Sequence, residues 1–260
     1  MNTPWFIHFS RPQRSRLRLF CFPYAGGNAH IFRAWAEQLP PWVELIGVQS
    51  PGKGSRALER PCTTVSEMTG KLMLALEPLL HDKPFAFFGH SNGALISFEL
   101  SCMLQERGLP LPRQLLLSAS PAPWTREFEQ PYSAMSDEEF KAALQDLNGT
   151  PQEILANREL LDLFLPGLRA DFSLSETYVY ARARKLSVPT SVFYGEHDEI
   201  EEHQVHAWQE EIEPPIRFDR LPGGHFFIHS HLELLTAMVG SRLRELEVQD
   251  RASRSLESVA

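Results

Sequence analysis

The residues whose types and spacing bear on chemistry are a serine between two glycines and, far downstream, an acidic loop and a glycine–glycine–histidine. Residues 85–94 read FAFFGHSNGA, an apolar run ending in Gly89-His90-Ser91-Asn92-Gly93 just before a helical pattern begins. A strand that enters a helix through Gly-x-Ser-x-Gly holds its serine in a strained turn with the hydroxyl exposed. Glycines at both ends let the backbone pass without Cβ clashes. The string alone is a weak signal, and its bland reading is an ordinary strand-to-helix turn. Strand, motif and helix in that order make it a strong one. Ser91 is the candidate nucleophile.

A serine hydroxyl is too weak an acid to attack unaided, so it needs a base, and the base needs an orienting carboxylate. For a nucleophile on such a turn the chain order is serine, acid, histidine. Residues 194–199, YGEHDE, follow an apolar run, and 221–227, LPGGHFF, follow another. His225 is the expected base, because paired glycines at a strand end suit a loop that delivers an imidazole. Asp198 is the expected acid. Its short side chain holds a ring with few free rotors, although Glu196, Glu199 and Glu201 stand in the same loop as alternatives. His229 and His231 fall at the start of the last helix. His203 and His206 have i, i+3 spacing with no third ligand, so neither a metal nor a cofactor is expected.

Acyl transfer passes through an oxyanion, and one backbone donor to it is worth about 10²–10³ in rate. The N–H of Asn92, next to the nucleophile, is one expected donor. The other is the N–H of Ala25, or secondarily Tyr24, in the early segment FPYAGG (22–27). The rival there is a plain glycine turn.

The elements that must position these groups alternate. Apolar, β-prone runs at 16–22, 43–49, 85–89, 114–118, 190–194 and 216–221 interleave with helical patterns at 31–39, 65–80, 93–106, 203–210 and 232–246. Such alternation predicts a mostly parallel sheet with helices on both faces, here an α/β-hydrolase fold. One interval breaks the rhythm. Residues 120–184 carry no strand pattern and read as short helices at 136–147, 151–157, 159–164 and 170–180. Ser136 and Glu139 form a capping box for the first. The interval is expected to be a helical lid over the sheet's C-terminal edge, where open α/β sheets bind ligands, rather than a separate domain. Residues 247–260 are polar and aperiodic and are expected to fray.

Composition bounds the rest. The 260 residues suit one domain, with 43% hydrophobic residues and a net charge of −8. An acidic chain has no electrostatic footprint for nucleic acid. The arginines at 11, 14, 16 and 18 read as a solvated arm. Cys21, Cys62 and Cys102 have neither disulfide-framework nor metal spacing. With no signal-peptide pattern and no apolar run of about 20 residues, a cytoplasmic, membrane-free monomer is expected.

Taken in order, several stretches resemble one family. They are LFCFPYAGG (19–27), QSPGKGSR (49–56), FAFFGHSNGA (85–94), MSDEEF with LNGTPQEIL (135–155), LFLPGLRADF (163–172), YGEHD (194–198) and LPGGHFF (221–227). Together they are similar to the type II thioesterases of nonribosomal peptide and polyketide synthesis, over residues 17–245. The resemblance implies hydrolysis of acyl thioesters on the phosphopantetheine arm of carrier proteins, and proofreading of wrongly loaded carriers. It carries the triad onto Ser91, Asp198 and His225 and makes 120–184 a mobile lid. Three positions depart from the family pattern: Asn92 stands where Met is usual, Lys53 where Arg is commoner and Tyr24 where His is common. The competing readings are a medium-chain acyl-carrier thioesterase, a small-ester carboxylesterase, and a catalytically silent docking module.

Overall fold

The structure is a computed structural model that describes residues 3–126, 131–147, 156–181 and 184–257. Each apolar run read as a strand is one. In chain order these are β2 (Leu17–Phe22), β3 (Val43–Val48), β4 (Phe85–His90), β5 (Leu115–Ser118), β6 (Thr190–Gly195) and β7 (Arg217–Leu221). They are preceded by a three-residue strand, β1 (Phe6–His8), which is too short to show any alternation in the sequence. The sheet order is β1-β3-β2-β4-β5-β6-β7. Only β1 runs antiparallel to its neighbour; the other pairs are parallel.

β4 lies at the centre, and all six of its residues are buried. Phe85 and Phe87 face one apolar cluster and Ala86 and Phe88 the other, as expected of a parallel strand covered on both sides. The first face is covered by α1 (Val65–Leu76), α2 (Asn92–Glu106) and the region of α5 (Glu202–His206), with Trp208 packed on Phe98. The second face is covered by a 3₁₀ helix, Ala29–Glu37, and by α7 (Leu232–Glu257), which follows the short α6 (Phe227–Ser230). α7 is helical as far as Glu257, and Leu235, Val239, Leu243 and Leu246 pack in the second cluster.

Between β5 and β6, the described residues of 120–184 contain helices and turns and no strand. α3 (Asp137–Asp146) starts at the Ser136 capping box. The two patterns at 159–164 and 170–180 are one helix, α4 (Arg158–Glu176), continuous across Pro166. The sequence reading broke it there because proline removes an N–H and usually ends a helix. The pattern at 151–157 falls largely outside the described residues. α3 and α4 share a small apolar cluster of their own: Phe140, Leu144, Leu161, Leu165 and Leu168. Arg169 holds the approach to α3, donating to the carbonyls of Ser133 (2.8 Å) and Met135 (2.7 Å) and to Asp137 Oδ1 (2.8 Å).

Candidate active site

Ser91 sits between β4 and α2 with φ 55° and ψ −115°, a conformation that L-residues rarely adopt. The two flanking glycines make it possible. A Cβ on Gly89 would lie 2.2 Å from the Gly93 carbonyl oxygen, and one on Gly93 would lie 2.0 Å from the Phe22 carbonyl oxygen. The elbow is thus wedged against the end of β2, and the Ser91 N–H is pinned to the Ser118 carbonyl at 2.8 Å.

Asp198 and His225 meet across the ends of β6 and β7. His225 Nδ1 lies 3.2 and 3.1 Å from the two Asp198 carboxylate oxygens. A carboxylate only accepts, so Nδ1 carries a proton, which in the neutral tautomer leaves the lone pair on Nε2. The Asp198 side chain is 2% exposed and that of His225 31%. The acid is therefore held in the protein while the ring reaches the surface of the site. Two backbone bonds fasten the loops together: Glu196 N–H to the Leu221 carbonyl (2.8 Å) and His197 N–H to the Gly223 carbonyl (2.9 Å). The glycines serve this closeness, since a Cβ on Gly195 would lie 2.8 Å from the Gly223 oxygen. The other carboxylates of the loop face elsewhere: Glu196 pairs with Arg220 and Glu201 with His203, and Glu199 is exposed.

The serine and the imidazole come to the same rim through His90, a residue to which sequence reasoning gave no part. His90 is fully buried, and burial pushes its pKa well down, so its ring is neutral. Its Nε2–H donates to the His225 carbonyl (3.0 Å), and its Nδ1 accepts from the Ser118 hydroxyl (2.9 Å). The His90 and His225 rings are 5.5 Å apart. Among the described residues the Ser91 hydroxyl makes no hydrogen bond, so the serine–imidazole contact is open in this conformation. Such contacts commonly tighten only when substrate arrives.

The early loop 23–27 lies beside the elbow. Among the described residues neither the N–H of Ala25 nor that of Asn92 has a hydrogen-bond partner, as a site for a developing oxyanion requires. The Tyr24 hydroxyl is 2.7 Å from His229 Nε2 and its ring packs on Phe226, which ties the loop to the one that carries His225. Burial pushes the His229 pKa down. Asn92 does more than sequence implied, because its side-chain amide donates to the Asp171 carbonyl of α4 at 2.7 Å. The only hint of Asp171 was an acidic residue within the apolar stripe of a helix.

Residues 17–243 match the family model described as a thioesterase domain. The chain belongs to the thioesterase family. The gramicidin S biosynthesis protein GrsT of Aneurinibacillus migulanus is 36% identical to this thioesterase over 236 residues, covering 90% of this chain and 92% of GrsT. The type II thioesterase BorB from the borrelidin biosynthetic cluster superposes with a TM-score of 0.84 at 32% identity, covering 92% of this chain and 97% of BorB. The medium-chain S-acyl fatty acid synthase thioesterase of Rattus norvegicus is more distant, 28% identical over 215 residues, with 81% of each chain covered. The protein is a serine-type thioester hydrolase with an α/β-hydrolase fold, and its homologues and structural matches include type II thioesterases of nonribosomal peptide and polyketide pathways. Among the described residues no group of His, Cys, Asp and Glu is arranged to hold a metal ion, and no helix is long and apolar enough to cross a membrane. His206 stacks on Phe218, 4.4 Å between centroids.

Proposed function

We propose that this thioesterase releases acyl groups from the phosphopantetheine arm of carrier proteins in nonribosomal peptide or polyketide assembly, by a Ser91–His225–Asp198 mechanism. His225 Nε2 takes the proton of the Ser91 hydroxyl as its oxygen adds to the thioester carbonyl. The N–H groups of Ala25 and Asn92 receive the oxyanion. Collapse breaks the C–S bond, and His225 returns its proton to the departing thiolate, giving the carrier thiol and an acyl-serine. A water, deprotonated by His225, then adds to the acyl carbonyl. The second collapse frees the acid and restores Ser91. Asp198 holds the imidazole tautomer in both halves and stabilises the imidazolium. α3 and α4 act as a lid that admits the arm, whose thioester needs little activation because thiolate leaves readily.

One observation carries this reading: the Nδ1-held imidazole of His225 stands beside a strained serine elbow, next to the N–H groups of Ala25 and Asn92, which have no partner among the described residues. The names of GrsT and BorB support the assembly-line setting over fatty acid synthesis. The three cysteines, all free and buried, fit a reducing cytoplasm. The test is release of acetyl, propionyl and longer acyl groups from loaded carrier proteins, followed by mass spectrometry, for the wild type and Ser91→Ala. Loss of release in Ser91→Ala, with carriers preferred over acyl-CoA and p-nitrophenyl esters, is the expected result. Equal rates for the two proteins, or a preference for free oxygen esters, overturns it.

A further inference from the structure

Asn92 and Lys53, two of the positions that the resemblance marks as departures from the family pattern, meet on one residue of α4. Asp171 Oδ2 lies 2.6 Å from Lys53 Nζ and accepts the Gly26 N–H, also at 2.6 Å. Its main-chain carbonyl accepts the Asn92 side-chain amide at 2.7 Å. A single residue of the inserted helix therefore touches the early loop, the residue after Ser91, and the loop carrying Lys53. The helix is fitted closely at this point. A Cβ on Gly26 would lie 2.9 Å from Leu168 Cδ2, and one on Gly167 would lie 3.6 Å from the Gly52 carbonyl oxygen. The side chains of Asp171 and Lys53 are each 11% exposed, so water screens their interaction little.

The charge arrangement has a consequence for catalysis. Gly26 adjoins Ala25, whose N–H has no hydrogen-bond partner among the described residues. A carboxylate bonded to the Gly26 N–H stands next to the place where negative charge develops on the substrate, and alone it would oppose that charge. Lys53 supplies the compensating positive charge. Asn92 adds a neutral tether that the usual methionine lacks the donor to make.

We propose that Asp171 is a positioning residue that clamps loop 23–27 against the nucleophile elbow, and that Lys53 is needed chiefly to cancel the Asp171 charge beside the oxyanion site. The proposal rests on the reading of Ser91 and loop 23–27 given above. With Lys53 removed, the carboxylate stays bonded to Gly26 but is uncompensated, so the transition state suffers more than substrate binding. With Asp171 removed, the loop is released.

Two measurements test this. Steady-state hydrolysis of acyl carriers by Lys53→Met, Asp171→Asn and the double variant reads the charge. Lys53→Met should lose roughly 10- to 100-fold in kcat, a fraction of the loss seen when oxyanion donors are deleted, with KM within about twofold. The double variant should recover to the level of Asp171→Asn. Backbone amide exchange of Gly26 in wild type and Asp171→Ala reads the clamp without reference to turnover, and should speed at least tenfold in the variant. Thermal melting identifies a variant that merely unfolds, and Asp171→Asn, nearly isosteric, keeps the cycle measurable in that event. No recovery in the double variant, or Gly26 exchange unchanged in folded Asp171→Ala, overturns the proposal. Activity retained by Ser91→Ala would instead sink the reading of the site, while the exchange result would still decide the clamp.

Discussion

The same substitution at two glycines should act in opposite directions. At Gly93 a Cβ falls 2.0 Å from the Phe22 oxygen, 2.5 Å from its carbon and 2.8 Å from the Pro23 oxygen. The shortest of these misses an ordinary 3.4 Å contact by about 1.4 Å, and every obstructing atom is backbone that no rotamer change can move. Gly93→Ala must therefore push α2 and the end of β2 apart, which displaces Ser91 from loop 23–27. A misplacement of about 1 Å at a reacting group costs on the order of 100-fold in rate, and overpacking of this kind costs about 1–3 kcal/mol or more. At Gly70, in the middle of α1, a Cβ meets nothing within 4 Å. Gly70→Ala should stabilise the fold by about 0.5–1 kcal/mol, since it removes only the freedom of a helical glycine. For a chain of this size that is a rise in melting temperature of about 1–3 °C. The assay is thermal melting together with acyl-carrier turnover for both variants. Wild-type kcat and melting temperature in Gly93→Ala would show that the elbow is not wedged against β2, and the account of the nucleophile turn would fail with it.

Asp198→Asn offers the His225 Nδ1 a donor-capable amide in place of a carboxylate, so kcat should fall by roughly 10⁴ with KM little changed, as single-turnover acyl release would measure. His90→Phe leaves the Ser118 hydroxyl and the His225 carbonyl without their partner, and should cost about 2 kcal/mol or more by thermal melting and lower kcat more than it raises KM. Glu211 is buried, accepts the Tyr180 hydroxyl and lies near Glu99, and burial with the Glu99 charge pushes its carboxyl up to about 7. Its folded value lies above its unfolded one of 4.5, so the folded state holds the extra proton between about 4.5 and 7. The associated stability is present at the acid end and is lost as pH rises through 7. Urea unfolding at pH 5 and pH 8 should therefore show Glu211→Gln abolishing a decline on the order of 1–2 kcal/mol, and an unchanged pH dependence would refute the shift.

What was legible in the sequence followed from local rules. The parallel strands β2 to β6 announced themselves because each is buried on both faces and is therefore largely apolar, as in Phe85 to Phe88, whereas the edge strand β7 mixes Arg217, Asp219 and Arg220 with Phe218 and Leu221. Ser91 and the loops bearing Asp198 and His225 were legible because turns that tight require glycine, and glycine shows in a sequence. β1 was not, since three residues carry no period. α4 appeared broken at Pro166 because the penalty for an internal proline is local, whereas the packing that offsets it, Leu161, Leu165 and Leu168 against α3, is tertiary. His90 and Asp171 stayed hidden for the same reason: their partners lie 28, 135, 79 and 145 positions away. The sequence singled out Asn92 for its backbone N–H alone, and its side chain has meaning only once α4 is laid over it.

The stitching of the Glu196 and His197 amides to the Leu221 and Gly223 carbonyls places the carboxylate–imidazole pair on the rigid scaffold rather than on the helices that overlie it. On the proposed mechanism, proton transfer is thus anchored to a part of the molecule distinct from α3 and α4. Changes in the length or sequence of those helices would leave the Asp198–His225 pair where it is.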